Sequence, residues 1–485
     1  MNARRYEVGR GSSTASERYD IGRGSMTASK RYDVIVVGVG AMGSAAAYYL
    51  ARRGKRVLGL ERFDIPHSMG SSHGETRIIR LAYYEDPSYV MLLHRAYELW
   101  RSLQNRAGER LLWTTGSVDA GPPDSWVFKG SLRSCLEHDL PHEVLTAREL
   151  KERFPGYGLP QETLGVFQPE GGFLLPERCI VSFVQSAHAE GAEIHGRETV
   201  LGWEPIGDGV RVTTDHGRYE ADRLVVTGGA WNRKLLPFLR DFAIPERQVL
   251  AWLQPERPDD FTPEHFPVFN LIVDEGRFYG FPVFGIPGFK FGKYHHFEER
   301  WDPDDLDREP RWDDEQVLRD FAARHFPTGY GPTMSLQVCL FTNSPDKHFI
   351  IDTHPHYPQV SFASACSGHG FKFASVIGEI LADLAERGIT RHNIEFFRLD
   401  RLFGVRPEQR RSRLPVGRLG HAPRRLARMW EHGHSDRAVR RRRGLDRSAG
   451  MGSRDGHGWA GQEGTFLDDV STVADEQAQA VRSFW

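Results

Sequence analysis

Residues 32–61 constrain the fold of this 485-residue chain more than any other stretch. They read YDVIVVGVGAMGSAAAYYLARRGKRVLGLE, an apolar β-branched run, a glycine-rich turn, an alanine-rich segment and a second apolar run that ends in an acid. The first run is typical of a strand buried on both faces of a parallel sheet, and alanine favours a helix after the turn. The pattern therefore predicts a strand–helix–strand unit at the start of an α/β fold.

The glycines of this unit are spaced as in a dinucleotide-binding turn. Gly38 permits a tight turn, Gly40 lets the main chain approach a pyrophosphate, and Gly43 lets the helix pack on the strand. The phosphate would meet unpaired N–H groups at the helix N-terminus, where Met42 also lies. Glu61, at the end of the second strand, is positioned to accept a hydrogen bond from a ribose hydroxyl. We interpret these five residues as cofactor-binding candidates.

Two other interpretations of this stretch are weaker. Residues 34–51 carry no charge and reach the lower length limit of a membrane-spanning helix, but glycine, serine and alanine dilute their hydrophobicity. A purely structural glycine turn would leave Glu61 unexplained. We therefore expect an adenine dinucleotide and no membrane partner, while the turn alone leaves nicotinamide and flavin equally open.

Charge and cysteine usage limit the partners and the compartment. The chain has 63 basic and 65 acidic residues, a formal net charge of −2, so no overall field favours nucleic acid or membrane. The 4 cysteines are scattered without a CxxC pair, which argues against a disulfide framework or a zinc site. No secretory leader is recognisable, and we expect a reducing, cytoplasmic compartment.

Both ends of the chain differ in composition from its centre. RYEVGRGSSTASE is followed directly by RYDIGRGSMTASK, a repeat too rich in Gly, Ser and Arg to bury a core. The repeat predicts a disordered leader over 1–30. It also suggests the hypothesis that translation starts at Met26. From 404 to 485 the composition shifts to Arg, Gly and His, which predicts a disordered tail.

Five separated motifs match one known family in order. They are GVGAMG with Glu61, SHGETRIIR, YGFPVFG with GFKFG, VCLFT with HFIID, and SGHGFK. Over residues 31–400 the chain resembles the monomeric sarcosine oxidase and N-methyltryptophan oxidase family of FAD-dependent amine oxidases, which also contains pipecolate oxidase. Several motifs at consistent separations carry far more weight than any one of them.

The chain pattern and this resemblance together predict an α/β protein of two interleaved domains. A Rossmann-like FAD-binding domain is expected beside a substrate domain built on a large mixed, mostly antiparallel sheet. The FAD-binding domain is assigned to 31–112, 172–243 and 345–403, and the substrate domain to 113–171 and 244–344.

The resemblance implies a flavin that is attached to the protein. The thioether to the flavin 8α-methyl would come from Cys339. His73 and Arg77 match positions beside the flavin, where a cation can stabilise the reduced anionic ring; structural hydrogen bonding is the alternative for His73. Gly368 and Gly370, in the turn before Lys372, complete the cofactor-binding candidates together with Lys372 itself.

The resemblance also implies a set of catalytic residues. Arg80 and Lys372 would hold the substrate carboxylate, a task that suits a planar guanidinium fork and a flexible ammonium. Lys290 matches the lysine that activates dioxygen, where a fixed positive charge lowers the cost of forming superoxide. Arg77 and Tyr279 match further active-site positions.

This sequence departs from the family pattern at two places. The family histidine that follows Lys290 matches either His295 or His296, and we favour His295. Phe341 stands where the sarcosine-specific members have a tyrosine, two residues after the flavin cysteine. The missing hydroxyl and the aromatic content nearby indicate a substrate bulkier than sarcosine, although an apolar pocket discriminates only modestly.

The implied activity is oxidation of the secondary amine of an N-methyl or cyclic amino acid to an imine, with release of hydrogen peroxide. The expected partners are the amino acid and dioxygen, and the protein is expected to be a monomer. One alternative is a flavin dehydrogenase or another amino-acid oxidase on the same fold, acting on a pipecolate-like or proline-like substrate. The other is a non-catalytic flavoprotein whose tail binds a polyanion.

Overall fold

The computed structural model describes residues 31–364 and 366–403. The expected leader over 1–30, with its repeat and Met26, and the expected tail over 404–485 lie outside the described residues. Within the described ranges the chain forms helices α1 to α8 and strands β1 to β19, together with several short 3₁₀ turns.

The helices are α1 (Ala41–Arg52), α2 (Val90–Ala107), α3 (Trp126–Glu137), α4 (Ala147–Arg153), α5 (Pro176–Ala189), α6 (Asn232–Leu235), α7 (Trp312–His325) and α8 (Ala374–Arg387). The strands are β1 (Arg31–Val37), β2 (Val57–Leu60), β3 (Arg77–Ile79), β4 (Leu112–Thr114), β5 (Ser117–Gly121), β6 (Glu143–Thr146), β7 (Leu164–Gln168), β8 (Gly172–Leu174), β9 (Glu193–His195), β10 (Val200–Ile206), β11 (Gly209–Thr214), β12 (Arg218–Val226), β13 (Ile244–Leu253), β14 (Val268–Val273), β15 (Gly276–Phe281), β16 (Phe289–Lys293), β17 (Thr333–Asn343), β18 (Ile350–Thr353) and β19 (Val360–Ser364).

The first sheet is built around the strand–helix–strand unit predicted from residues 32–61. Its strand order is β10-β11-β12-β1-β2-β9, and β19 joins beside β12 with β18 at its edge. The strands β9, β2, β1, β12 and β19 run parallel, and α1 packs between this sheet and the helices α5 and α8. The apolar stretch 34–51 is therefore a buried strand and helix. Among the described helices, none has both the length and the apolar character needed to cross a bilayer.

The second sheet has the order β17-β13-β16-β15-β14-β5-β7-β6. All of its strand pairs are antiparallel except β14 with β5. One face packs on α7, where the ring of Phe278 stacks on Phe321 at 3.7 Å. Because side chains alternate along a strand, Tyr279 points to the opposite face, away from α7. This sheet confirms the predicted mixed, mostly antiparallel architecture.

A third, small sheet lies beside the larger two. Its antiparallel order is β3-β8-β4, and β3 begins at Arg77. Each sheet draws its strands from separated parts of the chain, as an interleaved α/β protein requires. The fold class is thus confirmed, and the exact domain boundaries stay a prediction.

Candidate active site

In the glycine turn after β1, Gly38 and Gly43 are tightly packed against the protein, whereas Gly40 is not. Gly38 has φ +86°, and a Cβ there would lie 2.7 Å from the carbonyl oxygen of Thr227. A Cβ on Gly43 would lie 1.8 Å from the Gly38 carbonyl oxygen, so α1 packs on the turn with no room for a side chain. A Cβ on Gly40 would meet no atom within 4 Å. The main chain at Gly40 therefore faces open space.

Glu61 follows β2 beside this opening. Its carboxylate accepts hydrogen bonds from the main-chain N–H of Val39 at 2.9 Å and of Phe63 at 3.0 Å. These bonds fix the orientation of the carboxylate and leave lone pairs on both oxygens for a further donor.

A cavity of about 480 Å³ runs from the glycine turn to β17. We call it the first cavity. One end is lined by Gly38, Gly40, Met42 and Glu61, and the other by Arg77, Tyr279, Cys339, Gly368 and Gly370. The structure therefore brings together, around one elongated space, residues that are about 300 positions apart in the chain.

Cys339 and Arg77 meet at the far end of the first cavity. The Cys339 side chain is only 3% exposed, and its Sγ lies 3.7 Å from Nη2 of Arg77. Arg77 also donates to the carbonyl oxygens of Ser71 at 3.0 Å and Thr76 at 2.8 Å. The guanidinium is thus held in one place, and it sets a fixed positive charge beside the thiol.

His73 lies behind this end of the cavity as a neutral imidazole. Its side chain is buried, and neither ring nitrogen has a hydrogen-bond partner within the described residues. Burial and the nearby charge of Arg77 lower the pKa of His73 to about 3. Of these two candidates for stabilising a reduced flavin, only Arg77 carries a charge at physiological pH.

Lys290 is buried in the face of the second sheet that points away from α7. Its Nζ donates to the carbonyl oxygens of Gly74 at 2.5 Å and Thr76 at 2.8 Å, and to Oγ1 of Thr76 at 2.8 Å. It also lies 4.2 Å from the centroid of the Phe281 ring. Burial, with Arg77 nearby, holds the pKa of Lys290 well below its usual range, while the three acceptors favour the ammonium form.

Arg80 is committed to protein carboxylates and does not line the first cavity. Its Nη2 donates to Glu85 at 2.8 Å, and its Nε lies 3.7 Å from Oδ1 of Asp119. Burial works to lower the pKa of Arg80, but Asp119 and Glu85 raise it well above its usual range. The guanidinium also lies 4.0 Å from the centroid of the Tyr84 ring. This arrangement leaves the buried Nε without a hydrogen bond within the described residues.

Lys372 belongs to the same group of charges as Arg80. Its Nζ donates to the carbonyl oxygen of His369 at 2.8 Å. Burial and the charge of Arg80 lower the pKa of Lys372 to about 7. The structure therefore brings the two expected carboxylate-binding residues together, but outside the wall of the first cavity.

A second cavity, of about 760 Å³, adjoins this charge cluster. The cavity is lined by Glu85, His369, Arg277, Tyr294 and His295. Of these, Glu85 contacts Arg80, and His369 contacts Lys372. An aromatic partition separates the two cavities. The ring of Tyr294 lies 4.8 Å from that of Tyr279 and 5.8 Å from that of Phe341, both of which line the first cavity.

The two histidines after β16 have different surroundings. Nδ1 of His295 lies 2.8 Å from Oε1 of Glu246, and its ring stands edge-on to Phe341. His296 is buried, with Nε2 2.9 Å from Oδ1 of Asp314, which also pairs with Arg247. His296 thus belongs to an internal ion-pair network, and His295 stays our candidate for the active-site histidine.

Sequence reasoning missed Tyr294 and Glu85. Side chains repeat with period 2 along a strand, so Lys290, Gly292 and Tyr294 share one face, and this alternation could have identified Tyr294. A Cβ on Gly292 would lie 2.9 Å from the Tyr279 hydroxyl, so the glycine makes room for that ring. Glu85, an acid five residues after Arg80, carried no comparable signal in the sequence.

Comparison with known proteins identifies the family. A family model described as DAO, FAD dependent oxidoreductase, matches residues 33–384. The chain is 42% identical over 373 residues to monomeric sarcosine oxidase of Streptomyces avermitilis, which covers 75% of this chain and 96% of that protein. It is 36% identical over 371 residues to N-methyl-L-tryptophan oxidase of Yersinia pestis, which covers 76% of this chain and 98% of that protein.

Solved structures agree with this assignment. NikD, described as an unusual amino acid oxidase essential for nikkomycin biosynthesis, aligns with a TM-score of 0.67 and 28% identity over 76% of this chain and 97% of its own. L-proline dehydrogenase from P. horikoshii aligns with a TM-score of 0.67 and 21% identity over 78% of this chain and 99% of its own, a likeness that shows the fold alone.

The family's cofactor fits the first cavity. The open main chain at Gly40 and the fixed acceptor Glu61 lie at one end, where an adenine dinucleotide needs close approach and a ribose partner. Arg77, a fixed cation, lies at the other end. The family predicted from the five motifs is confirmed: this chain belongs to the DAO family of FAD dependent oxidoreductases.

Proposed function

We propose that this protein is an oxidase that converts the secondary amine of an N-methyl or cyclic amino acid to an imine, with dioxygen as electron acceptor. The observation that carries the proposal is the placement of cations on both sides of the aromatic partition. Arg77 lines the far end of the first cavity, Lys290 lies behind it on the carbonyl oxygens of Gly74 and Thr76, and Arg80 with Lys372 lies beside the second cavity. The names of the relatives, sarcosine oxidase and N-methyl-L-tryptophan oxidase, support the same chemistry.

The amino acid would enter the second cavity and present its carboxylate to Arg80 and Lys372. A carboxylate can accept from the unpaired Nε of Arg80 and from the ammonium of Lys372. Glu85 already accepts from Nη2 of Arg80, so the substrate would share the guanidinium with it or displace it. The amine and the adjacent C–H bond would then point toward Tyr294 and the first cavity.

FAD, when bound, supplies the redox chemistry by accepting two electrons from the substrate and passing them to dioxygen. The first cavity would hold it by the glycine turn and Glu61, and Cys339 would supply the thioether. Arg77, beside that thiol, provides the fixed charge that favours a reduced anionic ring. The role of Lys290 is to hold a positive charge where superoxide forms.

The products follow from the electron balance. The amine loses two electrons and two protons to give an imine, and dioxygen gains them to give hydrogen peroxide. Water then hydrolyses the imine to a carbonyl compound and an amine. The cytoplasmic location and the monomeric state expected from the sequence stay predictions.

Peroxide release from a matched set of amines tests the proposal. We expect peroxide with at least one of sarcosine, N-methyltryptophan, pipecolate and proline, and much less with glycine, which differs from sarcosine only by the N-methyl group. Glycine oxidised as fast as sarcosine would contradict the preference for secondary amines. Flavin reduction without peroxide, with turnover restored by an artificial acceptor, would identify a dehydrogenase instead.

A further inference from the structure

Arg277 is a cation of the second cavity to which the proposed function assigns no role. It lies on β15 two residues before Tyr279, so both side chains point to the same face of the sheet. Its cross-strand neighbour is Tyr294, whose main-chain N–H donates to the Arg277 carbonyl oxygen at 2.8 Å. On this face of the sheet, the side chains of Tyr279 and Arg277 therefore lead from the first cavity into the second.

Aromatic rings hold the Arg277 guanidinium in place. Its central carbon lies 3.5 Å from the centroid of the Tyr294 ring, 4.9 Å from that of Trp126 and 5.7 Å from that of Tyr84. Stacking of this kind orients the planar fork while leaving its N–H groups free to bind an anion.

No carboxylate forms an ion pair with this guanidinium within the described part of the chain, although Glu85, on the same cavity, feels its charge. Asp274 and Glu275 are close in sequence and line the same cavity, yet Glu275 pairs with Arg324 on α7. In the neighbouring charge cluster, Arg80 faces both Glu85 and Asp119. Arg277 is thus a guanidinium that lines the second cavity with neither an ion pair nor a side-chain hydrogen bond among the described residues.

Four non-glycine residues around the second cavity have left-handed backbone conformations. His295, Glu298, Lys347 and Ser367 all line it, and all have positive φ, between 45° and 62°. Non-glycine residues avoid this left-handed region, and such strain concentrates where binding or catalysis fixes the geometry. The cavity therefore has the character of a binding site.

Arg277 and the expected carboxylate clamp lie around one ring. The Arg80 guanidinium is 4.0 Å and that of Arg277 is 5.7 Å from the centroid of Tyr84. A ligand whose α-carboxylate binds Arg80 and Lys372 can therefore extend a short side chain toward Arg277. That side chain would meet a planar donor fork that suits a carboxylate.

We propose that Arg277 binds a second carboxylate of the substrate, so that the preferred substrates are secondary amino acids with an acidic side chain. This inference rests on the proposed function and narrows its substrate class. The Arg277 guanidinium, which forms no ion pair among the described residues, would then be neutralised by the substrate itself.

Three substrates and two variants of Arg277 test this inference. N-methylglutamate is compared with its neutral isostere N-methylglutamine and with sarcosine, in the flavin-loaded enzyme. We expect wild-type kcat/KM to favour N-methylglutamate over N-methylglutamine by about tenfold or more, the usual effect of a charged hydrogen-bonded pair. Arg277→Met should abolish this preference and leave sarcosine nearly unchanged, and Arg277→Lys should restore part of it.

A control variant keeps the result unambiguous. Arg257→Met removes an exposed arginine outside both cavities, which pairs with Asp260, and should retain the wild-type preference. Equal wild-type rates for N-methylglutamate and N-methylglutamine, or an equal loss with all three substrates in Arg277→Met, would overturn the inference.

The inference can also be separated from the proposed function. If no secondary amine reduces the flavin, the proposed function fails, and binding of glutarate and butyrate, followed by the flavin absorption spectrum, still tests Arg277. Glutarate should then bind more tightly than butyrate in the wild type and equally in Arg277→Met. Equal binding of both acids by the wild type would overturn the role of Arg277.

Discussion

Two buried lysines meet different surroundings, and this difference sets their chemistry. Lys290 donates to three oxygen acceptors, whereas Lys372 donates to the carbonyl oxygen of His369. Loss of hydration lowers the pKa of both. The three acceptors favour the ammonium form of Lys290 against this effect, whereas Lys372 has one such acceptor and a pKa lowered to about 7.

Replacing Lys290 by methionine should slow reoxidation by dioxygen and spare reduction by substrate. In the proposed role, the Lys290 ammonium would stabilise superoxide as it forms, and loss of one preorganised electrostatic group costs about 100-fold in rate. Stopped-flow measurement of the two half-reactions separates these effects. Lys293→Met, the same change on the other face of β16, should leave reoxidation unchanged. Equal slowing of both half-reactions in Lys290→Met would contradict the assignment.

Carboxylate binding should weaken as the pH rises through about 7, the lowered pKa of Lys372. Below that pH the ammonium is charged and attracts the anion, and above it the neutral amine does not. A bound carboxylate raises the pKa of Lys372, so affinity should fall by up to about tenfold per pH unit until that raised value is reached.

Three neighbours of Lys372 do not titrate near neutral pH. Arg80 stays charged, burial lowers the pKa of His369 to about 3, and Arg80, against the effect of burial, lowers the pKa of Glu85 to about 2. The inhibition constant of butyrate, measured from about pH 6 to about pH 9, should therefore report Lys372. Lys372→Arg should bind tightly throughout, and an unchanged pH profile in Lys372→Met would exclude this lysine.

The turn between β1 and α1 separates packing from cofactor binding. A Cβ on Gly43 would lie 1.8 Å from a main-chain oxygen, whereas one on Gly40 would meet nothing within 4 Å. Gly43 is therefore required by the packing of the protein itself. Gly40 is required only by a ligand that approaches the turn.

Alanine at these two positions should produce opposite defects. Gly43→Ala should destabilise the flavin-free protein by about 3 kcal/mol, since overpacking outweighs the gain in helix propensity. Gly40→Ala should leave that stability within about 0.5 kcal/mol but weaken FAD binding, because a methyl group stands where the pyrophosphate approaches. Thermal denaturation and FAD titration in a Cys339→Ser background measure both. If Gly40→Ala binds FAD as tightly as the Cys339→Ser protein does, the glycine turn is not the pyrophosphate-binding site.

Local patterns predicted the elements that depend on local physics. The glycine turn, α1 and Glu61 lie within one unit of about 30 residues, so their arrangement follows from sequence. The meeting of Cys339 with Arg77, 262 positions apart, was accessible only through family resemblance. The pairing of Arg80 with Glu85 was missed because the path of the chain after β3 brings the two side chains together, and no sequence pattern indicates that path. The choice between His295 and His296 depended on where the chain leaves β16.

The two large sheets supply opposite ends of the first cavity. The glycine turn and Glu61 belong to the first sheet, and Tyr279 and Cys339 belong to the second. A cofactor that spans this cavity therefore links both halves of the fold. Since its contacts with the two sheets exist only in the folded state, it should contribute to the stability of the whole molecule.

Cys339→Ser should convert an attached cofactor into an exchangeable one. After acid denaturation, the wild type should keep yellow flavin in the protein pellet and the variant should release it. Cys366→Ser is the matched control, because Cys366 also lines the first cavity but burial raises the pKa of its thiol to about 12, which disfavours attack as a thiolate. The Tm of Cys339→Ser should rise with added FAD, by the equivalent of about 2.7 kcal/mol at about 100 times Kd. The wild-type Tm should not respond, and free flavin from denatured wild type would show that no thioether forms.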